Sequence, residues 1–183
     1  MACNPIQFSR SLYLLLAILL VAPITANAEA PAAPKWGSSV AEVKASHSTP
    51  PRSDLTSGPI TYLVFSETAF GDPVTVVYRL IHGKLFEVTK NFETKGKSCT
   101  DVDLKYIAII ADYAAKIGES SSSADPGLKT CNRHTEWTTE DTVTSVNLSS
   151  DSGKIDLAIV ARSKQLSAQA EQTTATSTTP VGR

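Results

Sequence analysis

Apolar and polar residues alternate over three stretches in the first half of the chain. Ile60–Ser66 (ITYLVFS) is rich in β-branched and aromatic residues. Val74–His82 (VTVVYRLIH) sets Val74, Val76, Tyr78 and Leu80 on one side and Thr75, Val77, Arg79 and Ile81 on the other. Leu85–Phe92 (LFEVTKNF) places Phe86 and Val88 inward and leaves Glu87 and Lys90 to solvent. Phe70-Gly71-Asp72-Pro73 and His82-Gly83-Lys84 between them have turn chemistry. Three strands joined this tightly predict an antiparallel meander.

The period then changes. Val102, Tyr106, Ile109, Ile110, Tyr113 and Ile117 recur at helical spacing, which predicts an amphipathic helix over Thr100–Ile117. Thr100 with Asp103 reads as its capping pair, and Gly118 as its stop. Ser120–Gly127 (SSSSADPG) reads as a loop. Alternation returns in Thr142–Leu148 and Ile155–Ala161, with a turn at Asp151-Ser152-Gly153, which predicts a hairpin on the same sheet. Upstream, Ser39 and Glu42 form a capping box for a short helix edged by Val40 and Val43. Pro50 and Pro51, among several Ser and Thr residues, predict no regular structure over 45–59. The expected fold is α+β, an antiparallel sheet of about five strands with one main helix packed on it and a short N-terminal helix. Residues 36–164 form the single domain, 29–35 (EAPAAPK) an extended leader, and 165–183, a Ser/Thr/Ala/Gln tract, a disordered tail.

The beginning of the chain alters this picture by adding an address. A leader with Arg10 precedes the apolar run Leu12–Ala22, and Ala26-Asn27-Ala28 supplies small residues at a cleavage site. Residues 1–28 therefore read as a secretory signal peptide. The rival reading is a membrane anchor, but the uncharged stretch holds Pro23 and falls short of the roughly 20 apolar residues a spanning helix needs. No later segment is long and apolar enough to span, so no integral membrane segment is expected after cleavage. Cleavage removes Arg10, leaving 16 of the 17 Lys+Arg against 18 Asp+Glu, a formal charge of −2. That balance argues against a nucleic-acid partner or a polybasic membrane surface.

Two cysteines, Cys99 and Cys131, remain in the mature chain and flank the main helix. An even count in an exported chain favours a disulfide. Its loop of about 33 residues would contribute roughly 3.5–4 kcal/mol in the chain-entropy model. Two free thiols, or a metal-binding pair, are the alternatives.

Catalytic and metal chemistry finds little support. His47 and His82 lie in segments read as loop and turn, and His134 follows Cys131-Asn132-Arg133; none stands at ligand spacing on a helix, and all three read as solvated. A Gly-x-Ser-x-Gly elbow and a Gly-rich phosphate loop are missing from the sequence, and a Cys131–His134 thiolate pair competes with the disulfide. The expectation is no catalytic residue, no metal and no cofactor. Trp36 and Trp137 flank regular elements and are either lids on the core or exposed binding aromatics. Asn147-Leu148-Ser149 is a glycosylation sequon, relevant only to a eukaryotic exporter.

Trp36-Gly37-Ser38 with Glu42-Val43, Phe70-Gly71-Asp72-Pro73-Val74 leading into Val77-Tyr78, the helix, and Trp137 with Asp141-Thr142 together resemble a loose group of uncharacterised exported bacterial proteins. These open on a Trp-Gly-x-Ser helix, carry a meander and end on a Trp-bearing hairpin; the resemblance spans about 36–166. Where their main helix ends in Tyr-Gly-x-Pro, this chain has Lys116-Ile117-Gly118-Glu119. The resemblance implies a fold and an export route, to the periplasm of a Gram-negative bacterium or beyond, and no activity. More distantly, helices on an antiparallel sheet look like the β-lactamase-inhibitor-like modules of envelope assembly proteins. The functional expectation is an exported, non-catalytic protein that binds a protein or envelope component through its sheet or sheet edge. The alternatives are a small-molecule or lipid carrier with a cavity between helix and sheet, and an enzyme of unfamiliar type. Mass spectrometry of the exported protein without reduction is expected to find no alkylatable thiol at Cys99 or Cys131; labelling of either would rule the bridge out.

Overall fold

A computed structural model describes residues 33–124 and 131–177, with side chains to residue 173. The proposed signal peptide over 1–28 lies outside the described residues, as does the end of the tail. The fold is α+β, as the alternation and the helical period imply, with a single antiparallel sheet at its centre. The elements are α1 (Val40–Ala45), β1 (Ser53–Ser57), β2 (Ile60–Ala69), β3 (Asp72–Ile81), β4 (Lys84–Phe92), α2 (Cys99–Ile117), β5 (Ser122–Ala124), β6 (Arg133–Thr138), β7 (Thr142–Asp151), β8 (Lys154–Ser163) and α3 (Lys164–Ser177).

Eight strands replace the expected five. Their order is β1-β2-β3-β4-β8-β7-β6-β5, so two four-stranded meanders meet at a central β4–β8 seam, and a helix follows each meander. The three unforeseen strands lack apolar alternation for a physical reason. β1 and β5 are sheet edges with every residue exposed, and short polar edges protect a sheet from pairing with another chain. β6 turns Arg133, Thr135 and Trp137 toward α2, a mostly polar set that does not read as a buried face.

The hairpins follow the turn signals. His82-Gly83 and Ser152-Gly153 both have positive φ at the two residues, the turn whose twist matches that of the flanking strands. A bulge where Arg79/Leu80 pair with β4 inserts one residue, and this corrects the sequence reading of that strand. Leu80 faces Leu85 while Arg79 faces Glu87, leaving Phe86 as the extra residue. Leu85 and Val88 therefore belong to the main core, whereas Phe86 joins a second cluster on the opposite face with Ile60, Ile81 and Ala170. Glu87, expected in solvent, is 4 % exposed.

α2 begins earlier than its predicted cap. Ser98 is the N-cap and forms a reciprocal capping box with Asp101, so Thr100 and Asp103 lie inside the helix. Val102, Tyr106 and Ile109 are buried against the sheet, Ile110 and Tyr113 are half-buried, and Ile117 is exposed. α1 carries the expected Ser39–Glu42 capping box. The expectation of disorder from 165 onward is corrected as far as Ser177, because α3 spans Lys164–Ser177. Its composition is polar, yet Leu166 and Ala170, one turn apart, cover Ile60, Ile81 and Phe86. Such a helix depends on packing rather than propensity.

The main core fills the space between α2 and the sheet with residues from both meanders: Leu63, Phe65, Val76 and Leu80 from the first, Val146, Leu148, Leu157 and Ile159 from the second. Ile109→Ala is expected to lower stability by about 2–5 kcal/mol through the lost transfer energy and the cavity left behind. Urea denaturation with an unchanged slope is the check, and a loss under 1 kcal/mol would show that α2 is not packed as described.

Candidate interaction surface

α2 is held along its length by alternate residues of one chain segment. Cys131 is bonded to Cys99, the first helical residue, with Cα atoms 5.9 Å apart. Arg133 Nε lies 2.9 Å from Asp103 Oδ1, and its guanidinium lies over the Tyr106 ring at 5.9 Å. The Tyr106 hydroxyl hydrogen-bonds the buried Thr135 hydroxyl at 2.7 Å, and Trp137 Nε1–H donates to the Gly118 carbonyl at 3.0 Å, closing the helix end. Residues 133, 135 and 137 share the face of β6 that looks at the helix, because side chains alternate along a strand, and Cys131 lies just before the strand. The bond leaves neither thiol free, so the Cys131–His134 pair does not form. His134 points to the other face, where its Nδ1–H donates to Asn147 Oδ1.

Of the two tryptophans, Trp137 is 2 % exposed and packs on Tyr113 with ring centroids 5.5 Å apart. It is a lid and not a surface anchor. Trp36 is half-buried against the main core, and its indole N–H donates to Thr142 Oγ1 at 2.7 Å. Backbone bonds from Gly37 to Leu85 and from Leu85 to Ser38 fix the segment to β4. Trp137 belongs to the main core cluster and Trp36 packs against that same cluster. Asn147, the sequon residue, lies within β7 with its amide donating to Ser145 Oγ.

Two polar clusters were not foreseen. His47, expected in solvent, stacks on Phe65 with centroids 3.7 Å apart. Its Nδ1 meets the Val43 carbonyl at 2.8 Å, and its Nε2 meets Glu67 Oε1 at 2.8 Å and the Tyr78 hydroxyl at 3.1 Å. Burial, and then the Glu67 charge, push the Tyr78 hydroxyl well above its ordinary pKa. Both ring nitrogens are engaged, so the group ties the end of α1 to β2 and β3 with no nitrogen left for a metal or substrate. The second cluster lies on the opposite face. Glu87 accepts from Arg79 at 2.9 Å and from Arg162 at 2.6 Å, and Arg79 also covers the rings of Phe86 and Tyr62. It borders a cavity of about 200 Å³ beneath α3. Glu87 pairs with Arg162 across the β4–β8 seam, so this bond joins the two meanders. Nothing in the local sequence announces it, since the residues lie 75 apart.

A pocket of about 250 Å³ opens between the start of α2 (Asp101, Val102, Lys105) and Phe92 and Leu157 of the sheet, and the apolar residues left exposed lie on the other side of the helix. Three of the five large apolar residues exposed among the described residues lie on α2: Leu104 at 62 %, Ile107 at 42 %, and Ile117. Ala108, Ala111, Ala114 and Ala115 are exposed beside them. At 100° per residue, positions 104 to 115 of this set fall within about 120°, a second apolar stripe opposite the buried one. Asp101, Lys105, Asp112 and Lys116 border it on one side. The helical spacing of Val102, Tyr106, Ile109, Ile110 and Tyr113 marks the buried stripe only, while Leu104, Ile107 and the alanines form the outer one. Among the described residues no helix is long and apolar enough to cross a membrane, and no three His, Cys, Asp or Glu side chains are grouped to hold a metal. No family model, characterised protein or solved structure matches the chain.

Burial raises the Glu87 carboxyl, but the hydrogen bonds from Arg162 and Arg79 outweigh it and leave the pKa below its ordinary value of 4.5. A depressed carboxylate pKa stabilises the fold above the unfolded value, and that contribution is lost as pH falls through the folded value. Glu87→Gln is therefore expected to cost roughly 2 kcal/mol near neutral pH and to flatten the acid limb of the stability curve below about pH 4.5. Urea midpoints between pH 3 and 7 are the measurement; parallel wild-type and variant curves would remove the seam pair from the account.

Proposed function

We propose that the protein is exported and non-catalytic, and that it works by binding another protein through the outer face of α2. The exposure of Leu104 and Ile107 on a helix fixed at both ends carries this reading. A helix apolar on opposite sides buries both in the working assembly. The face proposed is thus the helix, rather than the sheet or its edge. A lipid surface fits less well, because the stripe is largely alanine and its border alternates in sign without the cationic flank that anionic lipids attract. Export, to the periplasm of a Gram-negative bacterium, is supported by the leader over 1–28 and by the Cys99–Cys131 bond, which persists in an oxidising compartment. Both polar clusters have their charged groups paired with one another, which supports a binding role over a catalytic one.

Photo-cross-linking from position 108 in the native envelope should give an adduct of this chain with a protein. Leu104→Glu with Ile107→Glu should reduce that adduct at least tenfold while leaving the protein folded with only a modest drop in melting temperature, because Leu104 is 62 % and Ile107 42 % exposed. Absence of any protein adduct, or an adduct indifferent to the double substitution, would overturn the reading.

A further inference from the structure

The border of the α2 stripe has a pattern that names a partner. Asp101, Lys105, Asp112 and Lys116 fall within about 60° of one another around the helix and alternate −, +, −, + from its N-terminus to its C-terminus. A two-fold axis that packs two copies of α2 antiparallel, through the point between Ala108 and Ile109, keeps this border on the same side of both helices. It sets Lys105 against Asp112 of the second copy and Asp101 against Lys116 of the second copy. All four cross-pairs of the dimer then join opposite charges. A parallel two-fold would put the two borders on opposite sides and pair nothing.

The middle of the stripe suits the same packing. Ala108, Ala111 and Ala115 are small enough for two helix axes to approach to about 8 Å, at the close end of the range for packed helices. Leu104 of each copy then lies beside the alanines of the other and covers them. From this self-complementarity we infer that the protein docked on the outer face of α2 is a second copy of this chain, in an antiparallel, two-fold symmetric pair. This rests on the reading of that face as a protein-binding surface, and it deepens it by choosing the occupant. An isologous contact of this kind closes on itself and gives a dimer rather than a filament.

The existing bonds of the border residues are compatible with the arrangement. Asp101 uses Oδ2 in the capping box. Asp112 and Lys116 pair with each other at 2.7 Å on an exposed surface, a link weak enough to be exchanged for one between copies. Lys105 is bonded to Asp72 and to the Phe70 carbonyl, so it reaches the second copy's Asp112 from a fixed base. One helix pair buries less than a standard interface of about 1,600 Å², so the dimer dissociates on dilution, and its population should be substantial by roughly 100 μM.

Sedimentation velocity on the purified, oxidised protein is the test. The wild type should move from one chain mass toward twice that mass as concentration rises. Asp112→Lys and Lys105→Glu each place like charges opposite one another at two positions, and each alone should weaken association at least tenfold. Mixed in equal amounts, the two variants restore opposite charges at both positions, and the dimer should return. A single cooperative melting transition in each variant verifies that it is folded, with Lys105→Glu expected to melt lower than wild type because it loses its bonds to Asp72 and the Phe70 carbonyl. A wild type that stays monomeric up to about 500 μM, or a mixture that associates no better than either variant alone, would overturn the inference. The position-108 cross-link separates this failure from that of the broader reading: a product at twice the chain mass supports the pair. An adduct with a different protein overturns the pair and leaves the binding face intact, and no adduct with any protein removes both.

Discussion

The fold depends on the attachment of α2 to β6. A sheet of eight antiparallel strands has two faces to cover, and the one long helix packs on one of them against β7 and β8. The attachment is made at Cys131, Arg133, Thr135 and Trp137, which bind the helix by a covalent bond, an ion pair, a buried hydroxyl pair and an indole-to-carbonyl hydrogen bond in turn. The four contacts come from the strand and the residue shortly before it, and are spread from the first residue of the helix to its cap. They fix its rotation about its own axis as well as its position. Val102, Tyr106 and Ile109 thereby enter the core, and Leu104 and Ile107 are directed outward.

The same contacts explain why two meanders behave as one domain. Each meander forms locally through short turns, but neither buries its apolar face alone. α2 follows the first meander in sequence and is fastened to the second, and the β4–β8 seam completes the join. At that seam the bulge at Phe86 lets a strand contribute to both faces, with Leu85 and Val88 to the main core and Phe86 to the cluster under α3. Glu87, shared by arginines from β3 and β8, gives this contact a charged lock that is stable at neutral pH and weakened by acid.

Much of this was legible in the residues. The alternation in β2, β3, β4, β7 and β8, the turn pairs His82-Gly83 and Ser152-Gly153, and the helical period of α2 all follow from side-chain spacing. Ser39-x-x-Glu42 is a cap in sequence and structure alike, whereas Ser98-x-x-Asp101 and Thr100-x-x-Asp103 offer the same Ser/Thr-x-x-Asp pattern two residues apart, and only the fold decides for Ser98. The illegible parts are those where long-range contact outweighs local pattern. β1 and β5 are polar edges, and α3 packs by two side chains on a patch 80 or more residues away. β6 has a buried face made of Arg, Thr and Trp. His47 was expected in solvent because its neighbours are Ser and Pro, and only the tertiary fold brings Phe65, Glu67 and Tyr78 around it. Of the candidate surface, the Leu104 and Ile107 letters were visible, but their exposure was not.

The fixing of α2 at both ends has a consequence for recognition. A free helix loses conformational freedom when it docks, and that loss is subtracted from its affinity. Here the ordering is completed during folding, so a partner docking on the outer face as proposed would meet it already in shape. Reduction of Cys99–Cys131 or loss of Trp137 alters no residue of the face, yet either frees an end of the helix and would return the entropic cost to the moment of binding. Under the proposed reading, the oxidation state of that bond would set how strongly the opposite side of the helix binds.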